Sequence, residues 1–128
     1  MKLVLASYFQ PENHGDGRKI GVSPGKPRDI ECESVFTSFV PANYWEYHET
    51  KKTDPEAGRK FVEGYNSQLE EFVAEVKQEA EKQGVPVHQL LPFKDGDTLL
   101  SWEKKGNLSY RAILAKYLME LGYEVEEN

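Results

Sequence analysis

Between Asp97 and Glu126 the spacing of the apolar residues changes twice, and that change limits what the chain can fold into. Thr98-Leu99-Leu100-Ser101-Trp102-Glu103 is an apolar burst of strand length, followed by a short polar turn containing Gly106. From Ala112 to Leu121 the apolar residues recur at helical spacing until Gly122 stops them, and Tyr123-Glu124-Val125-Glu126 is again strand-like. Strand, loop, helix and strand in this order is a repeating unit of α/β sheets.

Arg111 falls in the first turn of that helix if Asn107 or Ser109 is its N-cap. A cation there faces the positive end of the helix dipole, which is unfavourable unless an anion lies between them. On a helical wheel the core stripe is Tyr110, Leu114, Tyr117, Leu118 and Leu121, with Arg111 at its edge, so the guanidinium is expected to be partly covered. Two readings stand side by side. Free backbone N–H groups, Asn107 or Ser109 and the guanidinium form an anion or phosphate site, or Arg111 pairs with Glu103 across the loop as a structural ion pair.

Leu99-Leu100-Ser101-Trp102-Glu103, followed by Ser109-Tyr110-Arg111-Ala112-Ile113-Leu114-Ala115, resembles the C-terminal signature of the domain-of-unknown-function 488 family. In that family a Leu-Leu-Cys-aromatic-Glu strand precedes Cys-His-Arg at the start of a helix. Ala6-Ser7-Tyr8-Phe9 and the spacing of Phe61, Tyr65 and Leu69 are also similar to the family, so the resemblance spans most of the chain. The family's cysteines correspond to Ser101 and Ser109 and its histidine to Tyr110, while Glu103 and Arg111 match. The resemblance implies a compact, Rossmann-like α/β fold. With those replacements it implies no thiol, metal or redox chemistry at this place.

A chain of 128 residues is expected to form one α/β domain over its whole length, with one core. Cys32 is the single cysteine, which excludes an intramolecular disulfide framework and makes a reducing, cytoplasmic setting the expectation. No stretch approaches the roughly 20 apolar residues of a membrane span. The opening Met-Lys-Leu-Val-Leu-Ala has too short an apolar run for a signal peptide and reads as a first strand. The net charge of −6 opposes binding to duplex nucleic acid, although Arg18, Lys19, Lys26 and Arg28 gather enough charge for a local basic pocket.

Taken in order, Lys2 to Ala6 reads as a strand covered on both faces, and Gln10 to Gly17 as a turn-rich loop. His14 and Asp16 in that loop are too few for a metal site. Lys19 to Val22 reads as a short strand. The loop from Ser23 to Arg28 lacks phosphate-loop spacing, and its prolines remove backbone donors. Ser34 to Val40 is a strand candidate, and Asn43 to His48 packs Tyr44, Trp45 and Tyr47 together, as core or as a stacking surface. Thr53-Asp54-Pro55-Glu56 opens a long helix whose buried stripe is Phe61, Tyr65, Leu69, Phe72 and Val76, with Val62 and Val73 beside it. Its acidic run from Glu70 to Glu79 is the wet face. Val85 to Phe93 reads either as a strand or as a short helical turn.

Strands alternating with helices predict a small Rossmann-like open sheet, largely parallel or mixed, flanked by helices, with ligands at the carboxyl ends of the strands. If the first strand and strand 98–102 are parallel neighbours, then Ser7, Tyr8, Glu103, Asn107, Ser109, Tyr110 and Arg111 line one cleft. No G-x-S-x-G elbow and no C-x-x-C pair is present, and the sequence calls for neither metal nor cofactor. The leading expectation is a module binding an anionic, nucleotide-like small molecule, its phosphate at residues 107–111 and its base on Tyr8, Tyr110 or Trp45. One alternative is a hydrolase or transferase for a phosphorylated or nucleotide-derived substrate, with Glu103 as acid or base and Arg111 polarising the substrate. The other is an interaction module whose aromatic patch meets a partner or a second copy in a homo-oligomer.

Overall fold

A computed structural model describes residues 1–25, 32–103 and 110–128. The five strands among these residues are β1 (Lys2–Ser7), β2 (Lys19–Gly21), β3 (Ser34–Val35), β4 (Thr98–Ser101) and β5 (Glu124–Glu127). They form one sheet in the order β3-β2-β4-β1-β5, and every neighbouring pair is parallel. β1 and β4 lie side by side, with Val4 opposite Thr98 and Ser7 opposite Ser101. The adjacency on which the predicted cleft depended is therefore present, in a sheet that is wholly parallel. The apolar runs of β1 and β4 follow from burial on both faces.

Among the described residues three α-helices accompany the sheet: α1 (Tyr44–Thr50), α2 (Ala57–Gln83) and α3 (Arg111–Glu120). The stripe of α2 is Phe61, Tyr65, Leu69 and Val73, each one turn from the next, and it packs into one cluster with Leu3, Leu5, Leu99, Leu114 and Leu118. Tyr110, Leu114, Tyr117, Leu118 and Leu121 are all buried, as the wheel requires. Arg111 is buried with them, deeper than its place at the stripe's edge suggested. Gly122, at φ 99°, ends α3: its N–H bonds to Met119 and that of Tyr123 to the Leu118 carbonyl. This left-handed C-terminal motif turns the chain into β5.

The pleat sends Val4, Ala6, Tyr8 and Leu100 to the opposite face, away from the cluster of Leu3, Leu5 and Leu99. That face is crossed by the loop leaving β1, where the Gly15 N–H donates to Thr98 Oγ1 at 2.9 Å. The connection from β1 thus passes over one face, while the connection from β4 forms α3 on the other. Adjacent parallel strands that part in this way leave a crevice at their carboxyl ends.

Two boundaries differ from the sequence reading, and Val85 to Phe93 takes the second of its two readings, the short helical turn. Ser34 to Val40 is a two-residue strand followed by a 3-10 turn over Thr37–Phe39, because Phe36 and Phe39 turn into the aromatic cluster of Phe72 and Phe93. Val87–Leu90 is a 3-10 turn. Asp54 accepts the Glu56 N–H at 2.8 Å just ahead of α2, whose first residue is Ala57. Among the described residues no helix is long and apolar enough to cross a membrane.

Candidate functional site

The end of β1 and the end of β4 are tied together by backbone and side chain. The Tyr8 N–H donates to the Ser101 carbonyl at 2.9 Å, continuing the ladder one step past the strand. Ser7 is fully buried; its hydroxyl donates to the Trp102 carbonyl at 3.4 Å and accepts the Phe9 N–H at 3.2 Å. His14 Nε2 lies 2.7 Å from the Ser7 carbonyl, so that nitrogen carries the proton and donates. Ser7 therefore holds the backbone beneath two rings, Phe9 and Trp102, whose centroids are 5.9 Å apart and whose planes are tilted by 58°.

Arg111 is the first residue of α3, and the N-cap position falls on Tyr110, whose side chain makes no cap hydrogen bond. The expected caps, Asn107 and Ser109, lie outside the described residues. Arg111 is 1% exposed. Its Nη1 donates to Ser101 Oγ at 2.6 Å and to the backbone carbonyl of Glu103. Burial works against the guanidinium charge, and Glu103 and Glu127 favour it. Arg111 consequently braces the turn after β4 from inside. It does not line the open crevice among the described residues.

Two predicted stacking rings are also enclosed. Tyr110 is 1% exposed, and its hydroxyl donates to the Val22 carbonyl at 2.7 Å while its ring meets Tyr44, Phe61 and Tyr65. Tyr8 lies on the other face of the sheet, because successive residues of a strand point to opposite sides, and its hydroxyl faces Cys32. The structure thus joins Ser7, Glu103 and Arg111 at the β1/β4 corner and separates Tyr8 from them.

What opens at the carboxyl ends of β1 and β4 is a hollow of about 410 Å³, lined by Phe9, Tyr44, Tyr47, His48, Lys51, Trp102 and Glu103. Phe9, Trp102 and Glu103 come from the strand ends, and the remaining wall comes from α1 and its C-cap, Lys51. Tyr44 fixes α1 by burying its ring against Tyr110, and Tyr47 stacks on Phe61 at 4.9 Å. Phe9 is 45% exposed and Trp45, at the rim, 63% exposed; both are large apolar side chains left open to solvent. Of the described residues expected to bind, only Glu103 lines this hollow.

Burial shifts Glu103 and His48 toward their neutral forms. Burial raises the Glu103 carboxyl above the ordinary range, opposed by its own backbone N–H, the Tyr44 hydroxyl, Arg111 and Lys51. One carboxyl oxygen, Oε2, is buried with no hydrogen-bond partner among the described residues. Burial, with the Lys51 charge, lowers the His48 imidazole. Lys51 Nζ is 3.1 Å from His48 Nδ1, and since an ammonium can only donate, the neutral ring carries its proton on Nε2. Tyr44 touches both groups: its ring centroid is 4.4 Å from that of His48, and burial followed by the Glu103 charge raises its hydroxyl.

Phe9, Tyr44, Tyr47, His48, Lys51 and Trp102 were absent from the predicted site. The aromatic density of residues 43–48 was the available signal, but only the docking of α1 beside β4 joins it to Glu103. Among the described residues no group of three or more His, Cys, Asp and Glu side chains can hold a metal ion. No protein-family model, no curated protein and no solved structure matches this chain.

Proposed function

We propose that this chain binds a nucleotide-like small molecule in the hollow at the carboxyl ends of β1 and β4. The observation that carries the reading is the pairing of the exposed Phe9 ring and the half-buried Trp102 ring with a carboxylate and a cation in one hollow of about 410 Å³. That volume lies within the range of roughly 300–1,000 Å³ common to small-molecule sites, and parallel sheets place such sites at this end. A planar base stacks on Phe9 with Trp102 against its edge, the two ring planes being 58° apart, and an anionic group turns toward Lys51 and the His48 Nε2–H. The role first given to Arg111 passes to these two residues, because the guanidinium is buried against Ser101 and Glu103. Kinship with the domain-of-unknown-function 488 family is proposed on the residues quoted above and adds no substrate.

Calorimetric titration with nucleoside monophosphates tests the reading. Binding is expected for the native chain, and Phe9→Ala should weaken it about tenfold or more, since stacking on an aromatic ring contributes ~1–3 kcal/mol per base. Binding that Phe9→Ala leaves unchanged would remove the site from the account.

A second reading has its own support. Glu103 is held toward its protonated form and His48 toward its neutral form in the same hollow, an acid and a base separated by environment. We infer from this a hydrolase or transferase acting on a phosphorylated or nucleotide-derived compound, with Glu103 as the acid. Product formation from such compounds, abolished in Glu103→Gln, supports it; binding without product across the panel counts against it.

A further inference from the structure

We propose that the hollow selects, among nucleotide bases, the one that presents two adjacent N–H donors, the 2-amino-lactam edge of guanine, and that Glu103 reads that edge. The inference rests on the binding reading above and goes beyond it by naming the ligand's chemistry. Above its raised pKa Glu103 is a carboxylate, which only accepts hydrogen bonds, and the selection is stated for that form. In Glu103 this acceptor capacity is incompletely used: Oε2 is buried with no hydrogen-bond partner among the described residues, and because the residue belongs to the wall of the hollow, rotation of the carboxyl is what brings that oxygen to a ligand. The terminal torsion of a glutamate is soft, so both oxygens can turn to one ligand edge. Guanine offers N1–H and the 2-amino group side by side. Adenine and cytosine each place a ring-nitrogen lone pair beside their amino group, and uracil flanks its N–H with carbonyl oxygens. Each of the last three sets a lone pair against a carboxylate oxygen, where the pairing is repulsive.

The rest of the hollow fixes the orientation. Phe9 and Trp102 hold the base plane, and the Glu103 charge drives a phosphate to the side where Lys51 stands. Lys51 and the His48 Nε2–H are the donors there. The same edge is carried by a free nucleotide and by a guanine in a nucleic-acid strand. With a net charge of −6 the chain repels a polyanion, and the proposal is made for the free nucleotide.

The experiment is a calorimetric titration of the native chain at pH 8 with GMP, IMP, AMP, UMP and CMP, and with a short single strand rich in guanine. GMP should bind ten- to a hundredfold more tightly than AMP, the usual discrimination of a two-point contact, with IMP, which lacks the 2-amino group, between them. Glu103→Gln places a donor beside an acceptor and should shift preference toward AMP, whose amino group and ring nitrogen match it. Equal affinity for GMP and AMP, or tighter binding of the strand than of GMP, overturns the inference and leaves the binding reading standing. No binding by any nucleotide overturns both. The panel on the native chain decides the matter even if Glu103→Gln does not fold.

Discussion

Arg111 Nη1 donates to Ser101 Oγ at 2.6 Å, joining the last residue of β4 to the first residue of α3 inside the protein. The same nitrogen reaches the Glu103 carbonyl, so one guanidinium shapes the turn that carries Glu103 to the hollow. Buried hydrogen bonds to a charged group contribute ~1.5–3 kcal/mol each, and removing a partner strands the other. Arg111→Met is therefore expected to cost on the order of 3 kcal/mol in chemical denaturation and, in the protein that still folds, to loosen nucleotide binding through Glu103. A variant as stable as the native chain would show that the brace carries no weight.

Ser101→Ala tests the same contact from its other end. The Glu103 carbonyl still receives Arg111, so the expected cost is smaller, about 1–2 kcal/mol. A double-mutant cycle between Ser101→Ala and Arg111→Met should give a clear coupling energy, and strict additivity of the two losses would refute a direct interaction.

Glu103 makes a pH-dependent prediction. Its folded pKa is raised, mainly by burial, so its contribution to stability is fully present below the unfolded carboxyl value of about 4.3 and is lost as pH rises through the folded value. Glu103→Gln keeps the shape without the charge. Its melting temperature should exceed that of the native chain at pH 8, with the gain vanishing near pH 4. A variant less stable at pH 8 would mean that the ionised carboxylate is a net support of the fold.

Asp97 has the opposite sign. Burial raises its carboxyl, yet hydrogen bonds from Arg18 and the Lys94 N–H outweigh burial and leave it below the ordinary range. Its stabilisation is present above the unfolded value of about 3.9 and is lost as pH falls through the lower folded value. Asp97→Asn should cost on the order of 2 kcal/mol at pH 7 and progressively less below about pH 4, read from melting curves across pH. A cost independent of pH would assign the effect to packing.

Gly17 is constrained by close approach. A Cβ at this position would meet the carbonyl of Gly96, where the loop crossing the sheet presses against the turn before β4. Backbone on the other side cannot rotate away, so Gly17→Ala is expected to lose ~1–3 kcal/mol by calorimetry. An unchanged melting temperature would mean that the loop shifts freely.

Much of this fold was legible from local rules. The unbroken apolar run of β1, the stripe of Phe61, Tyr65 and Leu69 and the stop at Gly122 are consequences of periodicity and of glycine and stand where the sequence put them, while beyond Leu69 it is Val73 that is buried and Phe72 and Val76 that are half-buried beside it. The sequence also placed the cleft at the strand ends, and the pairing of Ser7 with Ser101 supplies the adjacency that this required. Its occupants were harder to read. Alternation says that Ser7 and Tyr8 face opposite ways, but which face meets Arg111 depends on where α3 docks. The helical wheel put Arg111 at an edge, yet Ser101 and the Glu103 carbonyl lie above that edge and draw the guanidinium inward. His48 and Lys51 reach the hollow only because Tyr44 and Tyr47 anchor α1 in the core, a long-range contact that no local pattern encodes.

The central claim, that Phe9 and Trp102 receive a planar base, is tested most directly by Trp102 fluorescence. The chain has two tryptophans, so Trp45→Phe isolates Trp102 in the hollow. Titrated with GMP, this variant should show saturable quenching of Trp102, and adding Phe9→Ala should weaken or abolish it. Emission that stays flat through millimolar nucleotide, with the variant folded, would contradict the account.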